Sequence, residues 1–218
     1  MSRRSLYQLA VGAGLCVLVV LLGLVAKAGP VARLGLRADE HIARHDRTGA
    51  LTALAKFAST IGAPETVGIG LLIALPLILV LMGRRLDAAK AFCVLAGALV
   101  LAQIVKRLIN EHRPPAALQA MAADPTPSFP SGHATTSAAL AVALIVIAAT
   151  VAWRAAALVL GGLYAVAVSA SRVYLGDHYP LDVVGGMLCA LAAGFIVTGL
   201  AGLPALQPHL RRLKLTGR

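Results

Sequence analysis

The chain has 218 residues, 59% of them hydrophobic and 13% charged, against about 25% charged in an ordinary soluble domain. With 20 Lys+Arg, 9 Asp+Glu and a mean hydropathy of +0.83, the composition excludes a soluble globular domain, a disordered chain and a coiled coil. The net charge of +11 does not mark nucleic-acid binding, because aromatics are only 4% and the basic residues fill short gaps between apolar runs instead of forming one stripe.

Stretches 5–26, 66–83, 125–153, 155–171 and 183–210 carry no Asp, Glu, Lys or Arg. Each is roughly long enough to cross ~30 Å of hydrocarbon at 1.5 Å per residue. The pattern predicts an all-α, polytopic membrane protein of one domain, 1–218, with six transmembrane helices near 6–27, 65–82, 90–110, 131–152, 155–175 and 180–202. The first of these also fits a signal peptide, since Arg3 and Arg4 precede it and Ala26-Lys27-Ala28 ends it. Its length exceeds an ordinary signal core, and cleavage would leave five spans and the same chemistry.

Residues 29–62 alternate charged and apolar side chains at helical spacing, which predicts an amphipathic segment along the outer surface. His41 and His45, four apart beside Asp39, Glu40 and Asp46, have the spacing of two metal ligands on one helix face; a solvated polar face is the simpler reading. The third span is interrupted by Lys106 and Arg107, which places those charges at or just inside one membrane face. Cys16, Cys93 and Cys189 all lie in apolar runs and form neither a disulfide framework nor a zinc pattern.

With the N-terminus inside, the inner segments hold Arg3, Arg4, Arg84, Arg85, Lys90, Arg154, Arg211, Arg212, Lys214 and Arg218, ten basic residues against ten outside. Many of the outer ones sit in the long 28–64 loop, where the positive-inside tendency weakens. Every acid except Asp87 is also outside. Both termini are therefore expected to be cytoplasmic, in an inner membrane.

Three stretches at span ends on the outer side hold the chemically unusual residues. In Lys106-Arg107-Leu108-Ile109-Asn110-Glu111-His112-Arg113-Pro114, Lys106 and Arg113 are seven apart and project from one helix face. A cation there either snorkels toward headgroups or faces an anion or polar cavity. In Ser128-Phe129-Pro130-Ser131-Gly132-His133, Ser131 caps a helix whose first N–H groups form a ready phosphate site, and Gly132 leaves the backbone accessible. Capping alone gives no reason for His133.

In the third stretch, Ser171 to Asp182, Pro180 fits the first position of a helix. Asp182, in that helix's first turn, reaches back to one ring nitrogen of His178. Such a carboxylate holds Nδ1–H, leaves Nε2 free and stabilises charge on the ring, although a purely structural His–Asp pair has the same spacing. Three cations, two histidines, a carboxylate and a helix N-terminus on one face make up the equipment for phosphoryl transfer without a metal.

These residues resemble the type 2 phosphatidic acid phosphatase superfamily, which includes bacterial undecaprenyl-diphosphate and phosphatidylglycerophosphate phosphatases and soluble vanadium haloperoxidases. Its pattern is K-x6-R-P, P-S-G-H and S-R-x5-H-x3-D. Lys106, Arg113 and Pro114 match the first part, Pro130 to His133 the second, and Ser171, Arg172, His178 and Asp182 the third. The motif core spans 106–182, and the apolar segments match the membrane branch.

The resemblance implies that His178 is the phosphohistidine nucleophile, Asp182 orients it, and His133 is the general acid and later the base for water. It also implies that Lys106, Arg113, Arg172, Ser131 and the Gly132 amide hold the phosphate, with no cofactor or metal. Glu111, His112 and Asp177 match nothing in the pattern and are expected at the rim. The implied function is a lipid phosphatase acting at the outer face on a membrane lipid phosphate or diphosphate. A phosphotransferase, or a non-catalytic anion-binding or transport protein, uses the same basic pocket; the oriented His178 argues against the last.

Overall fold

The computed structural model describes residues 2–122 and 124–215, and in these it is all helical, with no strand. The α-helices among the described residues are α1 (Arg3–Lys27), α2 (Gly29–His41), α3 (Gly49–Ile61), α4 (Ile69–Leu81), α5 (Arg85–Ile109), α6 (Gly132–Ile147), α7 (Val151–Tyr174), α8 (Pro180–Ala201) and α9 (Gln207–Leu215). Arg218, the last cation of the basic tail, lies outside the described residues.

Among the described residues four helices, α1, α5, α7 and α8, are long and apolar enough to cross a membrane. The other two expected spans are shorter, 13 residues in α4 and 16 in α6. At 1.5 Å per residue these reach only about 20 and 24 Å. The reason is local: a wide turn occupies Pro64–Gly68 ahead of α4. Residues 148–150 leave the helix so that the Thr150 hydroxyl accepts the Trp153 N–H at 3.2 Å and starts α7. The segment after α1 is helical and amphipathic as expected, divided into α2 and α3.

Helices α5, α6 and α8 pack together at the centre, with α1 against α8 and α7 against α6. Their contacts are made by small residues such as Ala91, Ala98, Ala139, Ala143, Ala190 and Ala193, which let helix backbones approach closely in lipid. Gly186 is needed for this: a Cβ there would lie 2.6 Å from the Ser131 carbonyl oxygen and 2.9 Å from the Thr135 nitrogen. The large apolar side chains point outward, Leu21, Leu24, Leu77, Leu158 and Leu163 all being about half or more exposed, as expected where the surroundings are hydrocarbon.

This packing brings the end of α5, the start of α6, the end of α7 and the start of α8 to one end of the bundle. Lys27 at the end of α1 joins them by donating to the Ile109 carbonyl at 3.0 Å. Below this end, Val19, Ala102, Val105, Ile109, Phe129 and Cys189 form an apolar cluster.

Candidate active site

His178 is positioned by a tight turn and a helix start. Gly176, at φ 74°, turns the chain after α7, and α8 begins at Pro180, where no N–H is needed. The Asp182 carboxylate folds back over this start, its Oδ2 accepting the Tyr179 N–H at 2.9 Å and lying 3.3 Å from His178 Nδ1. The sequence spacing thus produces the pairing expected of it. Both side chains are buried, with His178 1% and Asp182 0% exposed.

Ser128 completes the group and was not singled out by its sequence. Its hydroxyl donates to Asp182 Oδ2 at 2.5 Å and sits 3.3 Å from His178 Nδ1. On the other side of the ring, Arg113 Nη1 donates toward Nε2 at 3.3 Å. A carboxylate at Nδ1 and a guanidinium N–H at Nε2 put the ring proton on Nδ1 and the lone pair on Nε2. Burial, reinforced by the charges of Arg113, Arg172 and Lys106, holds His178 well below its ordinary value. The ring is therefore neutral at neutral pH.

The cations are held from behind by the loop between α5 and α6. Lys106 is buried and donates to the Pro127 carbonyl. Arg113 donates from Nε to the Thr126 carbonyl at 2.9 Å, from Nη1 to the Asp177 carbonyl at 3.0 Å, and from Nη2 to Asp124 at 2.6 Å. Burial pushes Asp124 up, but the Thr126 amide and Arg113 outweigh it and hold the carboxyl below its usual range. Asp124 thus faces Arg113 as an anion.

Arg172 is more enclosed than its motif position suggests. Nη1 donates to Ser59 Oγ of α3 at 2.5 Å, and Nη2 lies 3.3 Å from Asp177 Oδ2. Its buried Nε has no partner. Asp177 and Glu111, expected at the rim, are 1% and 5% exposed, while His112 is exposed. The first two are acids of the interior.

The start of α6 completes the arrangement. Ser131 Oγ accepts the Ala134 N–H at 3.4 Å, and its own N–H donates to the Asp182 carbonyl at 2.9 Å, tying the heads of α6 and α8 together. Lys106, Arg113, Gly132, His133 and His178 line one cavity of about 310 Å³, whose remaining wall combines apolar Ile69 of α4 and Leu99 and Ala102 of α5 with Pro64 and the polar Glu65, Gln103, Asp124 and Thr126. Of the expected residues, Ser131, Arg172 and Asp182 lie behind this lining. Two larger cavities, about 450 and 550 Å³, contain none of the motif residues; they are lined by Arg84 and Trp153, and by Arg4, Lys90 and Arg154. Size alone does not locate the chemistry.

The exposed His41 and His45 rings lie 4.9 Å apart between centroids, tilted by 41° to each other. Among the described residues no group of three His, Cys, Asp or Glu is placed to hold a metal ion. The three cysteines are free.

A helical membrane bundle with K-x6-R-P, P-S-G-H and S-R-x5-H-x3-D gathered at one end defines a class of protein. The chain belongs to the PAP2 superfamily, whose family model matches residues 87–202, more than half of the chain. Over 113 residues it is 36% identical to decaprenylphosphoryl-5-phosphoribose phosphatase of Mycobacterium tuberculosis, covering 49% of this chain and 59% of that protein. It is also 36% identical over 107 residues to an undecaprenyl-diphosphatase of Sulfolobus acidocaldarius, covering 45% of this chain and 48% of that one. The chain thus spans about half the length of these curated relatives.

The fold is shared with the transmembrane PAP2 type phosphatidylglycerolphosphate phosphatase of Bacillus subtilis at a TM-score of 0.75 and 22% identity, covering 87% of this chain and 94% of that one. LpxE of Aquifex aeolicus gives a TM-score of 0.57 at 24% identity, covering 72% of this chain and 91% of that one. The chain is accordingly a multi-pass membrane protein of this superfamily.

Proposed function

We propose that the protein is an integral-membrane lipid phosphatase that hydrolyses a lipid phosphate or diphosphate through a phosphohistidine at His178. The observation that carries this reading is the placement of the His178 ring, held by Asp182 and Ser128 at Nδ1 and approached by Arg113 at Nε2, in the lining of a cavity shared with Lys106, Arg113 and His133. A binding protein needs the cations but not an oriented nucleophile.

In the first half-reaction Nε2 of His178 bonds to phosphorus as the bond from phosphorus to the lipid oxygen breaks, and His133 gives its proton to that oxygen. Charge appearing on the His178 ring is stabilised by Asp182. Lys106, Arg113 and the Gly132 amide at the start of α6 offset charge on the phosphoryl oxygens, with the Arg172 guanidinium adding its charge from behind the lining and the Ser131 cap holding that helix start in place. In the second half-reaction His133 takes a proton from water as the water oxygen bonds to phosphorus. The bond to Nε2 then breaks and free phosphate leaves.

The apolar wall contributed by α4 and α5 suits a lipid whose phosphate enters the cavity while its chains stay in hydrocarbon. We infer that six segments cross the bilayer, with α4 and α6 extended by the turn at 64–68 and by residues 148–150. The opposite end of the bundle carries Arg3, Arg4, Arg84, Arg85, Lys90 and Arg154 with Asp87 beside Arg84. That basic end supports cytoplasmic termini and a site facing out of the inner membrane. Purified protein assayed on undecaprenyl diphosphate, phosphatidylglycerophosphate and phosphatidic acid is expected to release phosphate from at least one. The names of the curated relatives favour the polyprenyl substrate. No release from any of the three, by a folded protein, contradicts the reading.

A further inference from the structure

Glu111 stands within the first motif, between Lys106 and Arg113, yet it does not line their cavity. It lies in a separate apolar pocket of about 220 Å³ with Ala26, Val31, Leu34, Tyr179 and Leu181. It is 5% exposed, and its Oε2 has no hydrogen-bond partner among donors. Asp182 shows the complementary deficiency. Its Oδ2 serves Ser128, Tyr179 and His178, while Oδ1 is buried and unserved. Glu111 and Asp182 each present one bare oxygen in an interior that also holds Asp39 with both carboxyl oxygens unpartnered, a costly arrangement unless protons are held among these acids.

We propose that Glu111 is a neutral acid whose carboxyl proton is donated to Asp182 Oδ1, so that Glu111 positions the carboxylate that orients His178. The pair then holds one proton and a single negative charge, and Glu111 Oε2 and Asp182 Oδ1 become partners. Burial and the negative charge of Asp182 push Glu111 up to about 8, against the opposing charge of Lys27. The groups around it come from three elements. Lys27 on α1 is already donating to the Ile109 carbonyl, and Tyr179 and Asp182 head α8. Asp39 of α2 is fully buried and pushed up to about 7 by burial and by Asp182. The Tyr179 phenol is pushed to about 12 by burial and by Asp39, Glu111 and Asp182, so it stays neutral beside them.

The inference rests on the reading of His178 as nucleophile for its catalytic consequence, but not for the shared proton itself. A proton held in the folded state and released on unfolding stabilises the fold fully below the ordinary glutamate value of 4.5, and that stability is lost as pH rises through about 8. The test compares Glu111→Gln, which keeps a donor toward Asp182, with Glu111→Ala, which does not. Thermal unfolding of the detergent-solubilised protein is followed across this pH window. Wild type is expected to lose stability toward alkaline pH, and Glu111→Gln to lack that component.

In the lipid phosphatase assay, Glu111→Ala is expected to lose about tenfold or more of kcat with KM little changed. Glu111→Gln is expected to recover most of kcat and to lack an alkaline decline that wild type shows. Superimposable pH profiles of wild type and Glu111→Gln in unfolding would overturn the shared proton. Full kcat in a folded Glu111→Ala would overturn the positioning role. If wild type released no phosphate while the unfolding profiles differed as expected, the proposed function would fail and the shared proton would stand.

Discussion

At the scale of single residues, the site depends on how Asp182 and Ser128 hold one imidazole. Asp182→Asn keeps the shape of the side chain but reverses what it offers Nδ1, favouring the wrong tautomer of His178. In a Ser-His-Asp triad the equivalent change costs about 10⁴-fold, and a loss on that order in kcat is expected here with the protein still folded. Ser128→Ala removes the hydroxyl bonded to Asp182 at 2.5 Å, and a loss of roughly tenfold to a hundredfold in kcat is expected. Unchanged kinetics in either variant would show that His178 is not oriented from this side. The His178–Asp182 pairing was legible in the sequence because both residues belong to one helix start. Ser128 was not, since its contact spans 54 positions and depends on how α6 and α8 dock. Glu111 and Asp177 were misplaced for a related reason: a charged side chain next to a motif reads as rim, and only packing shows that its neighbours exclude water.

At the scale of elements, the heads of α6 and α8 must touch. Gly186 permits this, since any larger side chain meets the Ser131 carbonyl and the Thr135 amide. Gly186→Val is expected to destabilise the fold by about 1–3 kcal/mol and to impair phosphate release, read by thermal unfolding and assay together. Unaltered unfolding and activity would mean that the two heads can separate without consequence. The cations reach the site from the end of α5, the following loop and α7, and in the proposed mechanism they take the part that a metal's charge plays elsewhere. Phosphate release is therefore expected to persist in EDTA and to be inhibited by vanadate, a mimic of the transferring phosphoryl group. Loss in EDTA with recovery on adding one divalent ion would contradict that. Apolar runs located α1 and α4 to α8, but their lengths did not follow from hydropathy. Residues 148–150 are as uncharged as α6 itself, yet Ala148 leaves the helical conformation to end α6 and Thr150 caps the start of α7.

At the scale of the whole molecule, small residues face inward and large apolar ones outward, the reverse of a soluble bundle, with a polar site at one end and a basic collar at the other. The helical class and the gathering of the three motifs were legible from the sequence, because the motifs fall at the end of α5, the start of α6, the end of α7 and the start of α8, which antiparallel packing brings to one end. The side itself was not, the basic residues being ten against ten by sequence count. A cysteine replacing exposed Ala117, in a background lacking Cys16, Cys93 and Cys189, is expected to react with an impermeant maleimide in intact cells. Labelling only after the membrane is opened would reverse the orientation.

The covalent step is the central claim, and trapping it is the most direct test. Purified protein is mixed with a lipid substrate carrying radiolabelled phosphate, quenched in alkali, where phosphohistidine survives, and digested for mapping. The label is expected on the peptide containing His178, absent from His178→Ala, and that variant is expected to release no phosphate. Phosphate release by His178→Ala at the wild-type rate, or label on another residue, would contradict the account.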